Sequence, residues 1–126
     1  MGAGGPRPLI LDSGALIAFE RADRRLIRLL ELAGALHVPA GVVGQVWRNP
    51  ARQVRLVRLL GTEEIEMHDL DVDTAKAAGH LCGATGTADV IDASVVLLAR
   101  EHRAVVVTSD ADDIRGIDPG VDVVTC

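Results

Sequence analysis

Residues 86–114, GTADVIDASVVLLAREHRAVVVTSDADDI, decide the fold. They read as a buried helix, a tight turn, a buried strand and a burst of acids. Thr87 stands where a helix cap belongs, and residues 90–99 are apolar almost all the way round, as in a helix packed inside a domain. Residues 104–107 form a short β-branched run, the pattern of a strand covered on both faces. Asp89 and Asp92, three apart, share one face of the first helical turn, while Asp110, Asp112 and Asp113 follow the strand. A helix over residues 88–102 spans ~22 Å, and residues 104–110 cover ~23 Å when extended. Folded back on itself, the chain therefore brings helix head and strand end to one edge. In a parallel α/β sheet that edge, outside the carboxyl ends of the strands, is where ligands bind.

Working outward, strand-like and helical segments alternate. Residues 8–12 read as a first strand ending on Asp12, with Ser13 and Gly14 turning the chain into a helix that begins over 15–19 and resumes over 24–33. His37-Val38 is a brief second strand closed by Pro39. Residues 40–47 are helical and carry Gln45 on their polar side. Asn49-Pro50 interrupts, and residues 51–60 resume the helix. Residues 65–70 form a strand, Asp71 or Asp73 caps a helix running to Gly83, and residues 121–125 close as a last strand. This alternation predicts a three-layer α/β domain whose central, mainly parallel sheet is flanked by helices. Residues 1–8 (MGAGGPRP) read as a flexible tail and 9–126 as one domain, long enough for a core at 48% hydrophobic composition.

No apolar run is long enough to span a membrane and no export leader is evident, so a cytoplasmic protein is expected. Cys82 and Cys126 are too few for a disulfide framework, in keeping with a reducing compartment. The net charge is -5, which argues against a general nucleic-acid coat, yet the positive charge is almost entirely arginine, Lys76 being the single lysine.

If the first strand is central and parallel to that at 104–107, Asp12 joins the same edge. Asp12, Asp92 and Asp110 then converge, with Asp89 and Asp113 as outer members. Facing carboxylates raise one another's pKa unless a cation neutralises them. An all-oxygen, highly charged donor set suits Mg²⁺ or Mn²⁺ rather than zinc, and the four histidines (His37, His68, His80, His102) show no paired spacing that would favour zinc. Such a site suits phosphoryl chemistry. Each acid also has a plainer role open to it: helix-dipole compensation for Asp89, a turn for Asp12, and a cap of the short helix before Arg115 for Asp112 or Asp113.

LDSGALIAF, ADVIDASVVLLA and VVVTSDADDI, in that order, resemble the PIN-domain ribonucleases, and among them the VapC-type toxins of bacterial toxin–antitoxin pairs. The resemblance implies a parallel-sheet α/β fold and a metal-dependent endoribonuclease that cleaves RNA, paired with an antitoxin protein and tending to form homodimers. It implies Asp12, Asp92 and Asp110 as catalytic, metal-binding acids with Thr108 or Ser109 as a supporting hydroxyl; the edge geometry adds Asp89 on the metal side, with Ser13 and Asp113 in support. One position departs: where the family usually carries a helical glutamate, this chain has Gln45 in VPAGVVGQVWR. An amide donates a carbonyl oxygen but no charge; Asp89 or Glu20 would have to supply it, and otherwise the chain is a catalytically silent module that binds RNA or a protein. A magnesium-dependent phosphatase or receiver domain fits less well, since Asp12-Ser13-Gly14 lacks a DxD pattern and no lysine follows the last strands. Arg48, Arg52 and Arg55 recur at helical spacing beside Gln45 and suit RNA phosphates or an acidic antitoxin. With Phe19 and Trp47 as the only aromatic residues, a base-stacking platform is not expected.

Overall fold

The computed structural model describes residues 5–126. Its sheet has five strands: β1 (Leu9–Leu11), β2 (Leu36–Pro39), β3 (Ile65–His68), β4 (Val105–Thr108) and β5 (Val123–Thr125). They run parallel in the order β3-β2-β1-β4-β5. The central strands explain themselves by composition. β1 (LIL) and β4 (VVVT) are buried at every position, as parallel strands with helices on both faces must be, whereas the edge strands β3 and β5 are largely exposed.

Seven helices complete the layers: α1 (Ser13–Glu20), α2 (Arg24–Leu32), α3 (Ala40–Val46), α4 (Val54–Leu60), α5 (Val72–Thr85), α6 (Val90–His102) and α7 (Ala111–Ile117). α1 packs with α2, α3, α4 and β4. α6 lies across β1, β2 and β4, with α5 and α7 beside it. Ala93, Val95, Val96 and Ala99 of α6 are buried, which accounts for its nearly all-round apolar sequence. α5 and α6 are bent by 102° at their junction, and no single helix among the described residues is long and apolar enough to cross a membrane.

The three-layer parallel architecture matches the sequence expectation; some ends and caps do not. Asp89, not Thr87, caps α6: its carboxylate accepts from the Asp92 N–H at 2.9 Å, while the Thr87 hydroxyl accepts from the Asp89 N–H one turn earlier. Gly86, in the left-handed region at φ 74, ends α5 and turns the chain so that Asp89 can begin α6. α4 starts at Val54, because Asn49-Pro50 spends residues 49–53 on turns. Pro39 does not close β2 from outside; it pairs with His68 inside the strand and leads directly into α3. Of the expected N-terminal tail, residues 1–4 lie outside the described residues. Arg7 is held by Asp122 at 2.6 Å and by the Arg103 carbonyl at 3.0 Å.

Candidate active site

From β1 the chain steps to β2 and β3 on one side, and β4 and β5 lie on the other. The crevice outside the carboxyl ends of β1 and β4 is therefore a topological switch point, where doubly wound sheets place their ligands. Asp12 leaves β1 at this point and Asp110 follows β4. The backbone joins them: the Asp12 N–H donates to the Val107 carbonyl at 3.2 Å. α1 begins close against the β4–α7 turn, so close that a Cβ on Gly14 would lie 2.7 Å from the Cβ of Ser109 and 2.8 Å from its backbone nitrogen.

Three helices, α1, α6 and α7, start at this crevice, and each is capped by an aspartate. Asp12 accepts from the Ala15 N–H at 3.1 Å, Asp89 from the Asp92 N–H, and Asp110 from the Asp113 N–H at 3.3 Å. Asp110 thus takes the capping role expected of Asp112 or Asp113, both of which lie in the first turn of α7.

Burial grades the acids. Asp12 is only 7% exposed, Asp92 is half-buried, and Asp89, Asp110 and Asp113 face solvent. Burial is the main force holding the Asp12 carboxyl above the usual carboxylate range; hydrogen bonds from Thr108, Ala15 and Gly14 oppose it, and the charge of Asp110 adds to it. Asp92 is pushed up to about 6, first by burial, then by the charges of Asp89, Asp113 and Asp12. Asp113 is raised by its hydrogen bond with Asp110 and by that residue's charge. Asp89, Asp92, Asp112 and Asp113 line a cleft of about 330 Å³ with Thr85, Gly86 and Thr87. Among the described residues no three of these carboxylates converge to within 4.8 Å, as a group of histidines elsewhere does. Mutual repulsion without a counter-charge is the physical reason to expect that spacing.

Thr108, expected only as a supporting hydroxyl, is central. It is buried, hydrogen-bonds the Asp12 carboxylate, and accepts from the Asp110 N–H at 3.0 Å, so one side chain connects two acids. Thr108→Val keeps the shape and removes both bonds. It should destabilise the protein by about 1–3 kcal/mol, with the midpoint of urea unfolding moving down and its slope unchanged. Ser109 packs against Gly14, and Ser13 opens α1.

Gln45 stands exposed near the end of α3. Glu20 closes α1, at the opposite end of that helix from Asp12. The arginines separate by role. The Arg48 guanidinium donates to the Gly44 and Trp47 carbonyls and so closes the end of α3. Arg52 and Arg55 are exposed and make no ion pair among the described residues. Sequence reasoning overlooked Cys126, whose N–H donates to the Thr108 carbonyl and whose thiol is pushed up by burial and by Asp12 and Asp23. Its proximity to the acids arises from strand pairing, which no local pattern reveals.

The PIN domain family model matches residues 9–118. No match is found among curated proteins. Solved structures agree in fold. The chain superposes on Mycobacterium tuberculosis VapC20, a Sarcin-Ricin loop cleaving toxin, with TM-score 0.74 at 15% identity, covering 94% of this chain and 99% of that one. A toxin–antitoxin complex from Klebsiella pneumoniae gives 0.71 at 19%, covering 93% and 96%. VapBC2 from Rickettsia felis, bound to a DNA fragment from its promoter, gives 0.70 at 14%, covering 94% and 98%.

Proposed function

The chain belongs to the PIN domain family, and from that premise we propose that it is a metal-dependent endoribonuclease of the VapC type, the toxin of a toxin–antitoxin pair. The observation that carries the reading is the set of acids whose ionisation is opposed by burial and by one another: Asp12, Asp92 and Asp113, with Asp89 and Asp110 as the charged neighbours. An all-carboxylate donor set of this kind fits Mg²⁺ or Mn²⁺. Asp12, Asp92 and Asp110 would hold the ion, with Asp89 and Asp113 adding charge from the rim. When bound, such an ion lowers the pKa of water and neutralises charge on the phosphate.

The protein's own groups do the rest. Thr108 keeps Asp12 and Asp110 in register. Arg52 and Arg55, which make no ion pair among the described residues, are available for phosphate oxygens; Arg48, bound to its own helix end, contributes structure first. The same exposed arginines suit the acidic segment of an antitoxin. We propose an antitoxin as protein partner, on the strength of the complexes in which similar folds are found, and a second copy of the chain as the family resemblance implies.

Gln45 sets the test. It brings no charge, so Asp89 is assigned the compensating role. Asparagine is as good a helix cap as aspartate, so Asp89→Asn removes charge while sparing α6. Single-turnover cleavage of one RNA at saturating Mn²⁺ should fall nearly as far in Asp89→Asn as in Asp92→Asn, and Gln45→Glu should partly restore it. Cleavage at the wild-type rate in Asp89→Asn would reduce Asp89 to a helix-end charge. A wild type that is inert until Gln45→Glu is introduced would make the natural chain a binding module.

A further inference from the structure

The histidines, scattered in sequence, meet in space. His37 on β2, His68 at the end of β3 and His102 at the end of α6 bring ring nitrogens within 4.8 Å of one another. His37 Nδ1 and His68 Nε2 are 2.8 Å apart; the His37 and His102 rings stack at 4.1 Å between centroids, tilted by 22°. His37 is 3% exposed. Glu66, directly across from His37 in the sheet, places Oε2 3.5 Å from His37 Nδ1. One atom of the cluster is left over: His102 Nε2 is buried and has no hydrogen-bond partner among the described residues. A buried ring nitrogen left unsatisfied destabilises the fold.

We propose that His37, His68 and His102 form a structural transition-metal site, with zinc the fitting ion, that ties β2, β3 and the tail of α6 together. Three imidazoles with a carboxylate alongside are a nitrogen-rich donor set that selects zinc over magnesium. Tetrahedral zinc holds its nitrogen ligands ~3.3 Å apart, given bonds of ~2.0–2.1 Å. The nitrogens here, between 2.8 Å and 4.8 Å apart, need only sub-ångström to ångström adjustment. Stacked rings cannot both aim a lone pair at one ion, so loading turns one of them. His102, whose Nε2 bonds nothing, is the ring free to do so. The ion would offset the unsatisfied nitrogen, and Glu66 would supply compensating charge. Entry is open, because His68 lines a solvent-filled groove of about 620 Å³ with Met67, Leu70 and Glu101. The site is separate from the acids: His102 lies ten residues beyond Asp92 on one helix, ~15 Å along its axis.

The test uses untagged full-length protein, stripped with chelator and titrated with Zn²⁺ by calorimetry, and with Co²⁺ by visible absorption. The expected result is one tightly bound Zn²⁺ per chain, distinct from any weaker binding at the acidic crevice, an intense tetrahedral-type Co²⁺ spectrum and a raised melting temperature. His68→Gln and His102→Gln, at half-buried positions that leave His37 intact, should each weaken Zn²⁺ binding by ~100-fold or more, the loss of a ligand exceeding that of an outer-shell partner. Asp12→Asn/Asp92→Asn should bind Zn²⁺ as the wild type does. Failure of the wild type to bind Zn²⁺, binding indifferent to both histidine substitutions, or binding lost in the double aspartate variant would each overturn the assignment. None of these readouts depends on RNA cleavage.

Discussion

Asp12→Asn should abolish most RNA cleavage, lowering the single-turnover rate by about 10²–10³-fold, the usual cost of removing one preorganised electrostatic group from a reacting centre. The carboxylate sits almost out of water between β1 and β4, held by Thr108, Ala15 and Gly14. Asparagine preserves the size and can still accept from the Ala15 N–H, so the loss is one of charge. Circular dichroism should be unchanged, and growth inhibition on expression should vanish at equal protein level. Persisting toxicity in Asp12→Asn would mean that the chain acts by binding. Asp92→Asn should behave alike, and should also weaken Mn²⁺ binding measured by calorimetry.

The share of metal-free stability that depends on Asp92 should fall as the pH rises from 3.8 to about 6, and a divalent ion should give it back. It is read as the difference between the wild type and Asp92→Asn, so that the opposing titration of His37 cancels. Asp92 is raised from 3.8 to about 6 and Asp12 is raised as well. A carboxyl whose pKa is higher in the folded than in the unfolded state favours folding while protonated. Its contribution is therefore fully present below pH 3.8 and is lost as pH climbs through the folded value. For Asp92 the window is 3.8 to about 6. An ion binds the ionised form of the folded state, so at a free concentration one hundred times its Kd it adds about 2.7 kcal/mol, on the order of 10 °C in melting temperature. Metal affinity should rise with pH up to about 6 and then level off. Asp92→Asn should flatten this part of the metal-free pH profile and melt higher than the wild type at pH 7 while being inactive. A wild type that gains stability relative to Asp92→Asn over the same window, with no response to Mn²⁺ or Mg²⁺, would remove the acids from any shared ion.

What the sequence made legible follows the range of the interactions. The helix–strand unit at 86–114 and the strand ending on Asp12 carry period and composition in contiguous residues, so the sheet, its direction and the arrival of Asp12 and Asp110 at one edge could be read directly. The caps were harder. Thr87, Asp89, Asp110, Asp112 and Asp113 are all competent capping residues, and the choice of Asp89 and Asp110 depends on where Gly86 and Thr108 turn the backbone. The histidine cluster was invisible for a different reason. His37, His68 and His102 come from three elements more than 30 residues apart in sequence, and spacing rules detect ligands only when they share one helix or loop. The absence of paired histidine spacing in the sequence therefore said nothing about whether the rings meet in the fold.

The pairing of β1 with β4 also governs when activity can arise during synthesis. Leu9, Ile10 and Leu11 find their β4 partners only at Val105, Val106 and Val107. A chain emerging from the ribosome can make α1, α2 and the β1–β2 pair early, yet it carries Asp12 without Asp92 or Asp110 for most of its translation. Long-range parallel contacts of this kind close late. A nascent or prematurely terminated product lacking β4 has no crevice, so the proposed nuclease activity would have to wait until β4 has been made and has paired with β1.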